Sequence, residues 1–333
     1  MRRVVLIAGL WSAVFIRINK VSDRLNHGVD VVEDVLETLR FRGSTFFQSQ
    51  LAAPWGMSLE PVGTPRIHIV FSGSCFVGSD SIEPVQVGAM EIVVLPKGDL
   101  HWIADRPGRA LIPSERAGNA CELGSPMFQN GEITNRLMCG ILRFDTESPH
   151  PMLDSLPRIL HLPNLDPGGP IWMTVALIDV EIRRAQSNRT SIVDRLTEVL
   201  FLQILHHHIG ADDQPTGFLA ALRDRRIHRA LTLIHQDTAF DWTLKTLGER
   251  VGMSRATLTR RFQEVVGVAP MAYVTGWRVT KAYNAVKTTA APLEQIAEST
   301  GFASARTLTR AFERQYGITP NEARRGRGKV GTS

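Results

Sequence analysis

Residues 247–270, LGERVGMSRATLTRRFQEVVGVAP, and residues 296–320, IAESTGFASARTLTRAFERQYGITP, are two versions of one pattern. Leu258, Thr259, Arg260, Phe262, Gly267 and Pro270 recur 50 positions later as Leu308, Thr309, Arg310, Phe312, Gly317 and Pro320. Ahead of the turn the offset is 49, since Glu249 and Gly252 match Glu298 and Gly301, so the second turn is one residue longer. Self-similarity of this kind marks one supersecondary unit used twice. Each copy reads as a short helix, a turn pivoting on Gly252 or Gly301, a serine able to cap the next helix (Ser254 or Ser304), and that second helix. This is the grammar of a helix-turn-helix. At roughly 100° per residue, Leu258, Phe262, Val265 and Val266 share one face that must be buried, while Ala256, Arg260 and Gln263 point away and Thr259 stands on the shoulder. In the second copy Leu308 and Phe312 are buried, Arg306, Arg310 and Glu313 are presented, and Thr309 takes the shoulder.

An arginine at the same outward position of both helices suits major-groove readout, because its planar fork can bond a guanine edge bidentately. The expected DNA-facing set is Ser254, Ala256, Thr259, Arg260 and Gln263 from the first helix, with Ser304, Arg306, Thr309 and Arg310 from the second. Between the copies, residues 270–288 (PMAYVTGWRVTKAYNAVKT) start at a proline and run on with no breaker except Gly276. As a helix they form a rod of about 28 Å, close to the roughly 34 Å of one B-DNA turn. Charge agrees with double-stranded DNA as the partner. Residues 223–333 carry 19 Lys+Arg against 9 Asp+Glu, a net of +10, which leaves −5 for residues 1–222 out of the chain total of +5. The basic part favours a polyanion and the rest does not.

A chain of 333 residues exceeds one hydrophobic core, so two domains are expected. A hydrophobic fraction of 43% with 21% charged residues is that of folded globular chains and leaves little room for long disorder. Cys75, Cys121 and Cys139 are odd in number and form no C-x-x-C pair, which argues against a disulfide framework or thiolate zinc site and for a reducing, cytoplasmic setting. The apolar run at residues 4–16 is too short to span a bilayer, which takes about 20 residues, so residues 1–28 are expected to be a dispensable extension.

Residues 29–42 place Val32, Val35, Leu36 and Leu39 at helical spacing. From residue 45 to 145 the chain turns into short apolar runs such as IHIVFSG, CFVGSD and MEIVVLPKGD, broken by Gly, Pro and Asp. That density of short strands implies a β-sandwich or barrel. Residues 104–135, rich in Pro, Gly and Ser, read as a long loop, and the proline-punctuated residues 151–167 as the exit from the barrel. Residues 171–186 and 191–208 then suit a helical hairpin that packs on the barrel or on a second subunit. The polar stretch ADDQPTG at residues 211–217 is the expected linker. His206, His207 and His208 are consecutive on a helix, so they diverge and suit a solvated helix end.

With both repeats and the rod in place, residues 223–325 resemble the DNA-binding domain of the AraC/XylS family, most of all in GFASARTLTRAFERQYGITP. The resemblance implies a monomeric pair of helix-turn-helix units with Arg260 and Arg310 at base-reading positions. Ala256 is smaller than the residue common there. Further upstream, VGAMEIVVLPKGDLHW at residues 87–102 carries P-x-G-x-x-H as Pro96, Gly98 and His101, and so resembles the second motif of cupin barrels. His68 stands where the first motif begins, but Val70 replaces its second histidine, no Glu follows at the usual distance, and Met90 replaces the opening Gly. Together with LRFRGSTFFQSQLAAPWG at residues 39–56, this resembles the cupin-type sensor found ahead of one AraC/XylS branch.

The expected order is an extension at residues 1–28, a cupin-like sensor and dimerisation domain at 29–210 comprising a β-barrel and helical hairpin, a linker at 211–222, an all-α DNA-binding domain at 223–325 with two helix-turn-helix units, and a basic tail at 326–333. The expected function is sequence-specific transcription regulation by a homodimer, responsive to a small molecule held near His68 and His101, with no membrane partner. No metal or other cofactor is assigned, because a two-histidine set is weak and a buried Cys139 is more often a small apolar residue. The alternative is a cupin metalloenzyme fused to a DNA-binding domain, which the missing ligands argue against.

Overall fold

A computed structural model describes residues 30–39, 41–80, 82–122, 128–144, 150–185, 191–211 and 217–325. The expected extension at residues 1–28, residues 212–216 of the linker and the basic tail lie outside the described residues, whereas residues 217–222, expected to be linker, are helical and bury Phe218, Leu219 and Ala221.

The first helix, α1 (Val31–Leu39), starts where Asp30 Oδ1 accepts the Val32 amide at 2.8 Å, a side-chain cap for an otherwise unpaired donor. It buries Val31, Val32, Val35 and Leu36. Among the described residues ten strands come next, β1 (Phe41–Leu51), β2 (Gly56–Leu59), β3 (Arg66–Ser72), β4 (Cys75–Ser79), β5 (Ile82–Val87), β6 (Glu91–Leu95), β7 (His101–Ala104), β8 (Ile112–Pro113), β9 (Asn135–Phe144) and β10 (Leu160–Leu162). They form two five-stranded sheets, ordered β1-β9-β3-β6-β10 and β5-β4-β7-β2-β8. Alternation along the strands gives the first sheet two apolar faces. Leu51, Val70, Val93, Leu95 and Leu137 meet Trp55, Val77 and Ile103 inside the barrel. Phe46, Ile67, Ile69, Ile92, Met138 and Leu142 face outward and join the core beneath the helices.

Two sequence expectations change here. Inside residues 104–135 lie β8 and a helix, α2 (Ser114–Glu122). Glu115, Arg116, Gly118 and Asn119 of that helix are exposed, so it has no apolar stripe for a periodicity reading to detect. Residues 151–167 do not simply leave the barrel. After α3 (Pro151–Asp154), β10 pairs antiparallel with β6, Leu160 opposite Val94 and Leu162 opposite Ile92. A three-residue edge strand between two prolines is too short to read from alternation.

The helical hairpin is α4 (Pro170–Ala185) and α5 (Ser191–Ala211). Its polar attachment points to β1 are specific. Asp194 accepts the Ser44 amide at 2.6 Å, Ser44 and Thr197 hydroxyls are 3.0 Å apart, and Gln48 donates to Asp179 at 2.8 Å.

The C-terminal part holds α6 (Gly217–Arg223), α7 (Arg225–Gln236), α8 (Leu244–Val251), α9 (Arg255–Val266), α10 (Pro270–Thr288), α11 (Leu293–Ser299), α12 (Ala305–Tyr316) and α13 (Pro320–Arg325). The rod is as expected: α10 is 19 residues with Pro270 at its first position, where a proline lacks no needed donor. Charge and composition change across the expected linker, yet the apolar core does not stop there. One cluster runs from the outer sheet face through α1 and Met152 to Phe218, Leu258, Phe262, Tyr273 and Trp277.

Candidate functional site: a nucleic-acid interface and its link to the barrel

Both helix-turn-helix units form as the repeat requires. In the first, α8 ends at Gly252 with φ 66°, and Ser254 caps α9 by accepting the Thr257 amide at 3.2 Å. In the second, Gly301 has φ 80°, and Ser304 caps α12 by accepting the Thr307 amide at 3.3 Å. The left-handed backbone at both turns suits a residue without Cβ. Leu258, Phe262, Val265 and Val266 are buried in α9, and Leu308 and Phe312 in α12.

The outward residues fall on the expected side, with individual differences. Ala256, Arg260, Gln263, Arg306 and Arg310 are exposed, and Thr259 and Thr309 half-buried. Arg260 lies 3.4 Å from Glu264, and Gln263 folds back to donate to the Gly267 carbonyl at 2.7 Å. Thr259 and Thr309 hydroxyls donate to the carbonyls of Arg255 and Ala305, one helical turn back. Arg306 and Arg310 carry no ion pair among the described residues. Guanidiniums aligned on one face and free of acids are what phosphates and base edges attract.

In the barrel, β3 and β7 bring His68 and His101 together. Their Nε2 atoms are 2.9 Å apart, Cys139 Sγ is 2.9 Å from His68 Nδ1, and the Asp99 carbonyl is 2.7 Å from His101 Nδ1. A carbonyl only accepts, so His101 Nδ1 donates and its Nε2 is the acceptor. His68 Nε2 must then donate, and His68 Nδ1 accepts from the Cys139 thiol. Every group in this chain of hydrogen bonds is neutral. Burial, with the fields of His101 and Arg66, holds His68 well below its ordinary value. Burial takes His101 down to about 4 and pushes the Cys139 thiol up to about 12. A cupin metal does not fit this set: the two histidines spend their facing nitrogens on each other, and no group of three His, Cys, Asp or Glu converges among the described residues. The Gly expected at position 90 has a visible reason, since Met90 has φ 64°. It is held there by its amide bond to the Val70 carbonyl at 2.7 Å and by Trp172 donating to its own carbonyl at 2.9 Å.

Sequence reasoning missed the junction between the halves. Asp34 of α1 accepts from Lys281 Nζ at 2.5 Å and from His235 Nδ1 at 2.6 Å, while Tyr273 donates to His235 Nε2 at 2.8 Å. Asn284 reaches the Thr38 carbonyl at 3.2 Å. His150 stands edge-on to Phe218, Tyr273 and Trp277. Burial alone would raise the Asp34 carboxyl, but His235 and Lys281 outweigh it and hold it below its ordinary value. His235 is lowered chiefly by burial, against the pull of Asp34. These partners lie about 200 to 250 positions apart in the chain, and no local pattern announces them. In the histidine run His206 and His207 are exposed, His206 pairing with Asp30 at 3.3 Å, while His208 is half-buried with its Nε2 out of solvent, so the helix end is less solvated than expected. No described helix is long and apolar enough to cross a membrane.

Comparison with known proteins adds the lineage. A cupin family profile matches residues 30–210, and a helix-turn-helix domain profile matches residues 247–326. The HTH-type transcriptional regulator AlkR of Acinetobacter baylyi is 25% identical, over 89% of this chain and 99% of its own. The HTH-type transcriptional regulator MtrA of Neisseria gonorrhoeae is 27% identical, over 90% of this chain and 100% of its own. Among solved structures, an AraC-type regulator from Chromobacterium violaceum is 25% identical over 33% of this chain and 99% of its own, with a TM-score of 0.31. With a cupin domain in front, two capped helix-turn-helix units behind, and transcription regulators as relatives along nearly its whole length, the chain belongs to the AraC-type DNA-binding transcription regulators.

Proposed function

We propose that this regulator reads two successive major grooves with α9 and α12, that a small molecule in the barrel changes its grip, and that it acts as a homodimer in the cytoplasm. The observation that carries the coupling is the buried junction of Asp34 with Lys281 and His235. It joins a helix of the sensor to the rod that spaces the two recognition helices, so a change in the sensor reaches the DNA-binding geometry through contacts, not through a loose linker. An effector shifts such an equilibrium only by its unequal affinity for the two states.

The homodimer rests on the hairpin. Met173, Leu177 and Val180 on α4 and Ile192 and Val199 on α5 are large apolar residues exposed by 44–60%. Their spacings of four, three and seven positions put them on common helix faces, and a second copy offers a matching apolar face. The cytoplasm is supported by the free thiols of Cys75 and Cys139.

A footprint on the DNA upstream of its own gene tests the coupling, run with and without candidate metabolites. The wild-type footprint should change with the effector, and Asp34→Ala should bind DNA with a footprint that no longer responds. An Asp34→Ala protein that responds like wild type overturns the route. Leu177→Lys should turn a sedimenting dimer into a monomer; an unchanged dimer removes the hairpin from the interface.

A further inference from the structure

We propose that the barrel binds a monoanionic carboxylate with an apolar body, its head group paired with Arg66; the assignment rests on reading the barrel as the effector chamber. Arg66 opens β3 and points to the inner face, like Val70 four residues on. It is only 8% exposed. One hydrogen bond is made, from Nη2 to the Glu60 carbonyl at 2.9 Å, and the buried Nε has no partner. No carboxylate pairs with the guanidinium among the described residues. Glu60 favours this charge only by its field, without pairing with it, and a buried cation that lacks a paired carboxylate and full hydrogen bonding is costly.

The surroundings say which ligand would satisfy it. Arg66 lies opposite Ile141 and Leu95, and one layer deeper His68 lies opposite Cys139 and Val93. The His68, His101 and Cys139 groups are neutral, so nothing there supplies a compensating anion. The Glu60 side chain is exposed and only its backbone touches Arg66. A second cation stands on the same face: Arg143, two positions beyond Ile141, is exposed and donates to Thr45 at 3.1 Å. Alternation from the interior residue Leu51 puts Phe47 on this inner face as well, opposite Cys139 and still 49% exposed.

A cationic end beside an exposed aromatic ring and a half-buried Ile141 matches an acid with an apolar tail. The unused Nε–H and a neighbouring Nη–H offer the parallel pair of donors that a carboxylate accepts. Arg143 stands in solvent and spends a donor on Thr45, so the single buried guanidinium sets the complementary charge at one.

The test uses the full chain with sodium octanoate and sodium phenylacetate as probes, octanamide as the neutral control and inorganic phosphate as the dianionic one. Binding is read by titration calorimetry and by the shift in Tm. The carboxylates should bind and raise Tm, while octanamide and phosphate should not. Arg66→Met should weaken carboxylate binding at least about tenfold, with a ligand-free Tm no lower than wild type because an unpaired buried charge is gone. Arg66→Lys should keep part of the binding. A marked loss of ligand-free Tm in Arg66→Met makes the residue structural and overturns the assignment, as does carboxylate binding that is absent from wild type or unchanged in the variant. If octanamide stabilises both proteins and alters the footprint, the anion assignment falls and the effector reading stands.

Discussion

The two helix-turn-helix units share one sequence pattern and differ in what they lean on. The first belongs to the continuous core: Leu258 and Phe262 share a cluster with α1, Phe218 and Trp277, and Arg261 is tied to Asp224 at 2.8 Å. The second has a small core of its own, in which Leu308 and Phe312 pack with Val279, Tyr283 and Val286 of the rod. The turn glycines differ in the same way. A Cβ at Gly252 would meet nothing within 4 Å, whereas one at Gly301 would come within 2.8 Å of Arg278 and 2.9 Å of the Ala239 backbone. Arg278 holds that region by donating to the carbonyls of Thr238 and Phe240 at 2.9 and 2.6 Å. One repeated motif is therefore built into the continuous core in one copy and has a small core of its own in the other.

The largest effect tests whether both readers act through one rigid rod. Operator half-sites should lie about 10 base pairs apart, and inserting about 5 between them should abolish binding in a gel-shift titration by turning one groove away. Retained affinity would mean that the units bind independently. Next come the anchoring leucines. Leu258→Ala and Leu308→Ala should each cost about 2 to 5 kcal/mol. Hydrogen exchange should show the first loosening the sensor side as well, and the second releasing only α11 to α13. Equal spread from both would erase the distinction between the units.

The glycines separate the units by a smaller margin. Gly252→Ala should cost about 1 kcal/mol for its left-handed backbone. Gly301→Ala should cost roughly 3 kcal/mol, because overpacking against backbone adds to that strain. Chemical denaturation of the two variants decides the order. For DNA readout, Arg310→Ala and Arg260→Ala should each lose about 1 to 3 kcal/mol of specific binding and relax base preference at one position. Loss of specific and non-specific binding alike would recast them as phosphate contacts.

Mild acid should act on the first unit before the second, since the last histidine in the chain is His235. Its pKa is lowered from 6.5 by burial in the folded state. Between 6.5 and the folded value the unfolded chain holds the extra proton, so stability is complete above 6.5 and declines as pH falls through that window. The loss at His235 should grow steadily as the pH is taken from 6.5 toward its lowered folded value. Asp34, also lowered, acts in the same direction below the carboxylate range. Protection factors, taken against the intrinsic exchange rate at each pH, should fall in α7 and α9 on going from pH 7 to 5.5 before they fall in α12; the reverse order contradicts the assignment of His235 to the junction.

Features that depend on neighbours within a turn or two are legible along the chain. The duplication at offset 50, the capping serines 254 and 304, the buried stripes of both recognition helices and the 19-residue rod all follow from helical period and capping chemistry, because those forces act between residues a few positions apart. The P-x-G-x-x-H run placed His101 beside His68 only through family resemblance. Folding in three dimensions was needed to establish that these histidines satisfy each other through one shared proton, that Gly301 is crowded while Gly252 is free, and that Asp34 meets Lys281 and His235. Desolvation and hydrogen-bond pairing are set by which distant surfaces meet, and no local spacing in the chain encodes that.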